Sequence, residues 1–200
     1  MKKITEIFIG SNNIGKFREI AELLPKNIKK FSPKDLGIES PEENGKTFID
    51  NAEIKADYFS KKTNMITISD DSGLEVECLN NQPGIFSARW AGESKNFNLA
   101  MSKINDSIKK LETPSYDCFF VCALSLSWPN GNNVTVSGRI DGKFSWPPKG
   151  NCGFGYDPIF KPLGYDVTFG EMDPEFKHNI SHRALAFKKL KSLCFPSLEN

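Results

Sequence analysis

Two short segments of the sequence carry side chains suited to recognising a ligand. The first, residues 150–160, reads Gly-Asn-Cys-Gly-Phe-Gly-Tyr-Asp-Pro-Ile-Phe. Because its glycines relax the backbone, this turn can present aromatic faces and one carboxylate, a combination suited to a flat ring. The second has Lys177 followed by Ile180-Ser181-His182-Arg183, whose three potentially cationic side chains suit an anion. Together the two segments predict a nucleotide site.

Two acidic pairs, Glu42-Glu43 and Asp70-Asp71, could hold a divalent cation. Neighbouring carboxylates repel each other, a bound cation relieves that repulsion, and oxygen ligands favour Mg²⁺ or Mn²⁺. The alternative for both pairs is ordinary solvated charge. Asp70-Asp71 is the stronger candidate because it follows the apolar, β-branched residues 65–69, and carboxylates at the end of a strand are well placed for chemistry in α/β folds.

The loop of residues 10–16, Gly-Ser-Asn-Asn-Ile-Gly-Lys, connects an apolar run to a helical pattern. Free backbone amides and the helix dipole favour an anion at such a junction. The spacing of its glycines and lysine matches a Walker A loop, but Phe17 stands where that motif requires Ser or Thr. The sequence therefore predicts a phosphate cradle of another kind, with an ordinary strand-to-helix turn as the alternative.

Cationic side chains at the start of the last predicted helix, His182 and Arg183, are unfavourable against the helix dipole. An anionic ligand would resolve this conflict. The alternatives are a solvated helix start and, for His182, a buried core histidine. Phe154 and Tyr156, taken alone, are typical of core aromatics.

Periodicity predicts alternating strands and helices. The predicted elements are a strand over 4–9, a helix from 17 to 24, an extended segment at 28–31, a helix from about 47, a strand over 65–69 that stops at the acidic pair, a helix over 96–111, a hairpin of 118–128 and 134–140, and a helix from 181. Asn51 and Lys55 lie four apart and flank the apolar face of the second long helix. The fold class is α/β, with a mixed, twisted central sheet, a long β-hairpin and flanking helices forming two lobes around a cleft.

Length and composition favour one soluble domain over residues 1–200. Lys plus Arg (26) nearly balances Asp plus Glu (25), so no global field attracts nucleic acid or an anionic membrane. The start does not match a signal peptide and no run could span a bilayer, which predicts a cytoplasmic protein. The five scattered cysteines predict reduced thiols, and with two histidines we assign no transition metal.

Seven segments in register resemble those of the inosine triphosphate pyrophosphatases, the non-standard purine nucleoside triphosphate pyrophosphatase family, over essentially the whole chain. They are residues 11–16 (SNNIGK), 42–48 (EENGKTF), 51–52 with 55–56 (NA and KA), 70–74 (DDSGL), 83–89 (PGIFSAR), 153–160 (GFGYDPIF) and 180–183 (ISHR). Many members have Thr-Gly-Asn where this chain has Ser11-Asn12-Asn13, and the loss of that glycine changes the flexibility of the loop.

The resemblance implies Mg²⁺-dependent hydrolysis of ITP, dITP and XTP to the monophosphate and pyrophosphate by a homodimer, with Mn²⁺ as a possible substitute. The implied phosphate contacts are Ser11, Asn12, Asn13, Ile14, Gly15 and Lys16; the metal ligands are Glu43 and Asp71, with Asp71 also the catalytic carboxylate; Ser72 contacts substrate; Phe154, Gly155, Tyr156 and Asp157 serve the base and ribose; and Lys177, His182 and Arg183 serve the base edge or the phosphates.

Reasoning from the residues agrees with this chemistry. A triphosphate is highly charged, so catalysis depends on positioning and charge neutralisation, with Lys16 and Lys55 as candidate clamps and a water oriented or deprotonated by Asp71. Whether Asp70 or Asp71 is the principal carboxylate stays open. Two alternatives also remain: a diphosphatase of related fold acting on other modified or pyrimidine nucleotides, and a non-catalytic nucleotide-binding module, which would not need the acidic pairs.

Overall fold

A computed structural model of the chain describes residues 4–194. The strands are β1 (Glu6–Ile9), β2 (Lys29–Phe31), β3 (Thr67–Val76), β4 (Gln82–Pro83), β5 (Asp117–Ser127), β6 (Asn133–Phe144) and β7 (Phe160–Pro162). The helices are α1 (Ile14–Leu23), α2 (Pro33–Leu36), α3 (Phe48–Thr63), α4 (Ser87–Trp90), α5 (Phe97–Ile108), α6 (Pro174–Ile180) and α7 (His182–Cys194). No helix in this described range is both long and apolar enough to cross a membrane.

The strands form a mixed sheet, as the sequence predicts. Their order is β2-β1-β3-β5-β6-β7, with β4 paired to β3. β1 runs parallel to both β2 and β3, with Phe8 opposite Thr67, whereas β4 and β7 pair antiparallel to β3 and β6. The predicted α/β class and the β5–β6 hairpin are confirmed.

The chain divides into two compact units. The first comprises the residues up to Asp71, Cys122–Gly138 and the residues from Arg183 onward; the second comprises Ser72–Val121 and Arg139–His182. The core of the first unit includes Ile7, Ile9, Ile20, Ile68, Leu124 and Leu190. The core of the second includes Leu74, Met101, Ile104, Phe120, Phe160 and Phe169. Strands β3, β5 and β6 each contribute residues to both units.

The prediction that the strand after residue 65 stops at the acidic pair is wrong. β3 continues through Asp70 and Asp71 to Val76. Carboxylates disfavour a buried strand when they are unpaired, but both aspartates have cationic partners here, so the strand proceeds. β6 likewise extends past the predicted end at Ile140, because residues 142–144 pair antiparallel with Phe160–Pro162 of β7.

Helix α3 places two polar residues in the interior of the first unit. Thr47 caps its N-terminus in a capping box with Asp50, and the helix ends at Asn64, which has a left-handed conformation. The face that carries Phe48, Ala52, Ala56 and Phe59 is buried, as predicted. Asn51 and Lys55, one turn apart on the flank of this face, are therefore buried as well.

Gly10, at the end of β1, permits a close approach of backbone to side chains. A Cβ atom at this position would lie 2.2 Å from Ser69 Oγ and 2.6 Å from a ring carbon of Phe59. Such distances do not occur in real structures. A side chain at position 10 would therefore displace α3 or the part of β3 that immediately precedes Asp70.

Gly10→Ala should therefore lower the free energy of unfolding by about 1–3 kcal/mol, the usual cost of overpacking. Ser69→Ala alone should change stability little, since this buried hydroxyl donates no hydrogen bond to the described residues. In the double variant, Ser69→Ala should recover part of the loss, because it removes the atom nearest to the new methyl group. Urea unfolding of the three variants measures this coupling, and strictly additive losses would contradict it.

Candidate active site

Adjacent carboxylates of β3 have different environments. Asp70 is 1% exposed, its Oδ2 accepts a hydrogen bond from Arg183 Nη2 at 2.9 Å, and Lys16 Nζ lies 3.4 Å from the same oxygen. Burial raises the pKa of the Asp70 carboxyl, but the positive charges of Lys16 and Arg183 outweigh it, and the pKa lies well below its ordinary value. Asp70 therefore stays ionised and is a weak base.

At Asp71 the effects that raise the carboxyl pKa outweigh those that lower it. Asn51 Nδ2 donates to its Oδ2 at 3.0 Å, while Lys55 Nζ and Lys16 Nζ lie 3.8 Å and 3.9 Å from its Oδ1. Burial raises the pKa of the Asp71 carboxyl; the two lysines lower it, the nearby Glu43 raises it further, and the net pKa is above the ordinary value. A carboxylate with a raised pKa is the better proton acceptor of the two.

Two residues of α3 link the loop before this helix to Asp71. Lys55 Nζ donates to Glu43 Oε1 at 2.8 Å, and the Gly45 amide donates to Asn51 Oδ1, also at 2.8 Å. Because Asn51 and Lys55 also contact Asp71, the side chains of one helical turn hold Glu43 and Asp71 in one cluster. The negative charges raise the pKa of Lys55 although burial lowers it.

The cluster suits a hard divalent cation shared with a ligand rather than a fully protein-bound ion. Glu43 and Asp71 offer carboxylate oxygens on either side of Lys55, and burial penalises the charge of Asp71. Among residues 4–194 no group of three or more His, Cys, Asp or Glu side chains is arranged to hold a metal. Mg²⁺ is commonly bound by one or two carboxylates plus water and substrate phosphates, so this donor set fits that ion.

The loop between β1 and α1 uses several of its own backbone amides. Asn13 is the N-cap of α1, and its Oδ1 accepts hydrogen bonds from the amides of Gly15 at 2.9 Å and Lys16 at 3.2 Å. An anion would have to compete with Asn13 for these two donors. The expectation of a cradle of free amides is therefore wrong at Gly15 and Lys16, and the Lys16 ammonium becomes the main candidate for an anion at this loop.

Asn12, one of the residues that departs from the family pattern, links two loops. Its Nδ2 donates to Ser40 Oγ at 2.8 Å, and Ser40 lies shortly before Glu43 in sequence. Ser11 Oγ accepts from the Asn13 amide at 3.3 Å, which closes the turn, and Ile14 is largely exposed. Asn12 thus adds a contact between the loop that precedes α1 and the segment that contains Ser40.

The positive charge of Arg183 is balanced by carboxylates of the protein itself. Its guanidinium is almost fully buried, with Nη2 on Asp70 and Nη1 on Glu19 of α1. Burial lowers the pKa of Arg183, but Asp70 and other nearby negative charge raise it more, so the group stays charged. The argument that an anionic ligand is needed to offset this cation is therefore wrong, because Asp70 and Glu19 do so; contact between Arg183 and a substrate stays a prediction.

In the second unit, the glycine-rich segment encloses a buried ion pair. Asp157 Oδ2 accepts hydrogen bonds from Lys177 Nζ and from the Phe154 amide, each at 2.7 Å. Lys177 Nζ also lies 5.2 Å from the ring centroid of Phe154 and 5.4 Å from that of Phe169. Gly153 has a φ of +74°, and a Cβ there would lie 2.0 Å from Asp157 Oδ2, so the turn requires glycine.

Tyr156 and His182 are both buried in this unit. The Tyr156 hydroxyl donates to the Ser87 carbonyl at 2.8 Å and its ring meets Phe97 edge-on, so its side chain belongs to the core. Burial raises the pKa of Tyr156. The His182 ring stacks on Phe120 at 4.8 Å, consistent with the alternative of a core histidine. The whole Tyr156 residue is only 3% exposed, so its contact with substrate stays a prediction that its burial does not favour.

Comparison with known proteins identifies the family. The model of the Ham1 family matches residues 7–193. This chain belongs to the Ham1 family. A Zymomonas mobilis protein named dITP/XTP pyrophosphatase is 46% identical over 94% of this chain and 91% of its own length, and one of the same name from Caulobacter vibrioides is 44% identical over 95% and 98%. The structure of a HAM1 protein from Coxiella burnetii superposes with a TM-score of 0.86 at 34% identity, over 94% of this chain and 97% of the other.

Sequence reasoning on this Ham1-family chain missed two members of the charged cluster. Asn51 was noted for its helical spacing but not as a contact of Asp71, and Glu19 was not singled out. Both had a usable signal, because Asn51 lies one turn before Lys55 and Glu19 lies one turn after Lys16. Ser72, next to Asp71, is partly exposed in the second unit, and the structure does not test its predicted contact with substrate.

Asp70→Asn should lower the free energy of unfolding at pH 7 by about 3–5 kcal/mol, because it removes one partner of a buried ion pair with Arg183. Since the pKa of Asp70 is depressed on folding, its contribution is present above the ordinary carboxyl pKa and is lost as pH falls through the lower folded pKa. The difference from the unsubstituted protein should therefore shrink in acid.

Asp57→Asn is the matched control, since Asp57 pairs with Lys61 at 2.7 Å on the surface of α3. An exposed pair of this kind contributes about 0–1 kcal/mol. Urea unfolding between pH 3 and pH 7 compares the two variants. Equal losses would show that the buried Asp70 pair stabilises the fold no more than the exposed Asp57 pair.

Proposed function

We propose that this chain is a nucleoside triphosphate diphosphatase that hydrolyses non-standard purine triphosphates (ITP, dITP and XTP) to the monophosphate and pyrophosphate. The observation that carries the proposal is Asp71, a buried carboxylate with a raised pKa that lies between Lys16 and Lys55 and close to Glu43. Relatives at 44% and 46% identity bear the name dITP/XTP pyrophosphatase, which supports the same reaction here.

Lys16 and Lys55 are the proposed clamps on phosphate oxygens. Both ammonium groups lie within 4 Å of Asp71, and Lys16 belongs to the first turn of α1, where the helix dipole also favours an anion. In the complex, the phosphate oxygens of a bound triphosphate would take over part of the negative charge that the aspartates now provide to Lys16 and Lys55. The clamps act most strongly where the charge grows during cleavage, on the departing pyrophosphate.

We further propose that Glu43 and Asp71 hold the metal, Mg²⁺ by preference, with Mn²⁺ as a substitute. When bound, the ion would neutralise charge on the phosphates and polarise the bond that breaks. Lys55 contacts both of these carboxylates in the structure, which places its ammonium beside the proposed metal ligands. Asn51 would keep Asp71 oriented through its hydrogen bond at 3.0 Å.

Asp71, rather than Asp70, is the proposed general base. The base must take a proton from the attacking water, and its pKa therefore needs to lie nearer to neutrality than that of an ordinary aspartate. The pKa of Asp71 is shifted in that direction, whereas that of Asp70 is shifted away and its Oδ2 is engaged by Arg183. The proton moves from water to an Asp71 oxygen as the α–β anhydride bond is cleaved.

The purine is proposed to meet the segment around Phe154. Phe154 is partly exposed and can stack on a ring, while Lys177 can donate to a keto oxygen if it turns from Asp157. Hypoxanthine and xanthine carry that oxygen at position 6, where adenine carries an amino group. A site of donors leaves the adenine amino group mismatched, at a cost of about 1–3 kcal/mol. His182 and Arg183 remain proposed contacts of the base edge or the phosphates.

Pure protein incubated with Mg²⁺ should release pyrophosphate from ITP, dITP and XTP much faster than from ATP, whose amino group is mismatched in a site of donors. Asp71→Asn should lower kcat by at least about a hundredfold with little change in stability, as expected for loss of a general base. Asp70→Asn should lose less activity and more stability. A folded, ITP-binding protein that releases no pyrophosphate would favour a binding module instead, and faster turnover of pyrimidine or other modified nucleotides would favour the alternative diphosphatase.

In the metal-free protein, the Asp71 carboxyl should take up its proton at a higher pH than an ordinary aspartate, because burial raises its pKa. Lys55→Met removes a positive charge that lowers this pKa, so the titration of Asp71 should move to still higher pH. Asp57→Asn should leave the titration of Asp71 in place. NMR titration of the side-chain carboxyl without metal measures this, and a shift to lower pH in Lys55→Met would contradict the described environment of Asp71.

We also infer a homodimer, from the family resemblance alone, and no nucleic-acid or membrane partner, from the balance of charge. The cytoplasmic location remains a prediction of the same kind. Sedimentation at micromolar concentration tests the dimer, and a monomer throughout would refute it.

A further inference from the structure

Four charged side chains of the first unit form a continuous path that begins and ends on α1. Lys16 Nζ lies 3.4 Å from Asp70 Oδ2, the same oxygen accepts from Arg183 Nη2 at 2.9 Å, and Arg183 Nη1 donates to Glu19. Lys16 and Glu19 are three residues apart, on the same side of the helix. The path therefore connects the proposed phosphate clamp to β3, to α7 and back to its own helix.

The middle of this path is the most buried part. The side chains of Arg183 and Asp70 are 1% and 0% exposed, whereas those of Lys16 and Glu19, at its two ends, are 16% and 17% exposed. Buried charges persist only when they are paired, so the removal of one member changes how the others are shared. The two positive and two negative formal charges cancel.

The Arg183 guanidinium contacts two carboxylates, those of Asp70 and Glu19, and one oxygen of Asp70 contacts two cations. Loss of the Glu19 charge would leave Arg183 more dependent on Asp70. A stronger pull of Arg183 on Asp70 would compete with the weaker, longer contact between Asp70 and Lys16. Lys16 would then lose the partner that holds its ammonium beside Asp71.

We infer that Glu19 is a positioning residue: by holding one side of Arg183, it leaves Asp70 available to Lys16 and thereby keeps the Lys16 ammonium where a phosphate group binds. This inference rests on the proposed function only in that the phosphate belongs to the substrate. In this role Glu19 acts through Arg183 and Asp70.

The sign of one binding measurement separates positioning from simple electrostatics. Glu19→Gln removes a negative charge close to the site, so a purely electrostatic role predicts tighter binding of inorganic pyrophosphate. A positioning role predicts weaker binding, because the ammonium that should meet the anion is no longer held. We expect the dissociation constant from calorimetry without metal to rise about three- to tenfold, and kcat/KM for ITP to fall about tenfold.

Three variants serve as controls. Asp57→Asn makes the same change of charge at the exposed Lys61 pair and should leave both quantities unchanged. Glu19→Asp keeps the carboxylate with a shorter reach, so its losses should be intermediate; it also replaces Glu19→Gln if the latter fails to fold by circular dichroism. In a Lys16→Met background, Glu19→Gln should add little further loss, because the group it positions is already gone.

Unchanged or tighter pyrophosphate binding in folded Glu19→Gln would overturn the inference, and so would full additivity with Lys16→Met. Hydrolysis of ITP is a separate readout. If the unsubstituted protein binds pyrophosphate but does not hydrolyse ITP, the proposed function fails, while the calorimetric comparison still decides whether Glu19 positions Lys16.

Discussion

The burial of two adjacent carboxylates on a central strand is the constraint on which the rest of the charged cluster depends. A carboxylate taken out of water must be paired, hydrogen-bonded or protonated. Asp70 is stabilised by Arg183 and Lys16, whereas Asp71 receives Asn51 and more distant lysines. α1, α3 and α7 each bring at least one of these partners to β3, so the cluster also explains why these helices carry polar residues on otherwise apolar faces.

This unequal pairing gives the two aspartates different chemistry. Lys16 reaches both carboxylates, but the other partners of the two neighbours differ. Asp70 contacts a buried guanidinium, and its pKa is lowered. Asp71 has longer contacts with Lys16 and Lys55 and lies near the carboxylate of Glu43, and its pKa is raised. Asp70 thereby supports the local architecture, and the raised pKa of Asp71 favours Asp71 as the proton acceptor in the proposed reaction.

Prediction from sequence succeeded where local patterns are strong and failed where distant residues pair. The capped helix that follows Thr47 and the β5–β6 hairpin follow from periodicity and turn chemistry, and both were correct. The strand end at Asp70 was misplaced because the compensating Arg183 lies 113 residues away. The amides of Gly15 and Lys16 are not free because Asn13 caps α1, a role that its position just before the helix permits.

The sequence by itself determined the mixed α/β class, the family and the residue types available for phosphate and metal chemistry, because these reside in local periodicity and in short ordered motifs. Only the tertiary structure decided how the charges are shared: Arg183 with Asp70 and Glu19, Lys55 with Glu43, Lys177 with Asp157, and Tyr156 with the Ser87 carbonyl. Ion pairing depends on distances of a few ångströms and on exclusion of water. Both are set by the packing of elements far apart in the chain.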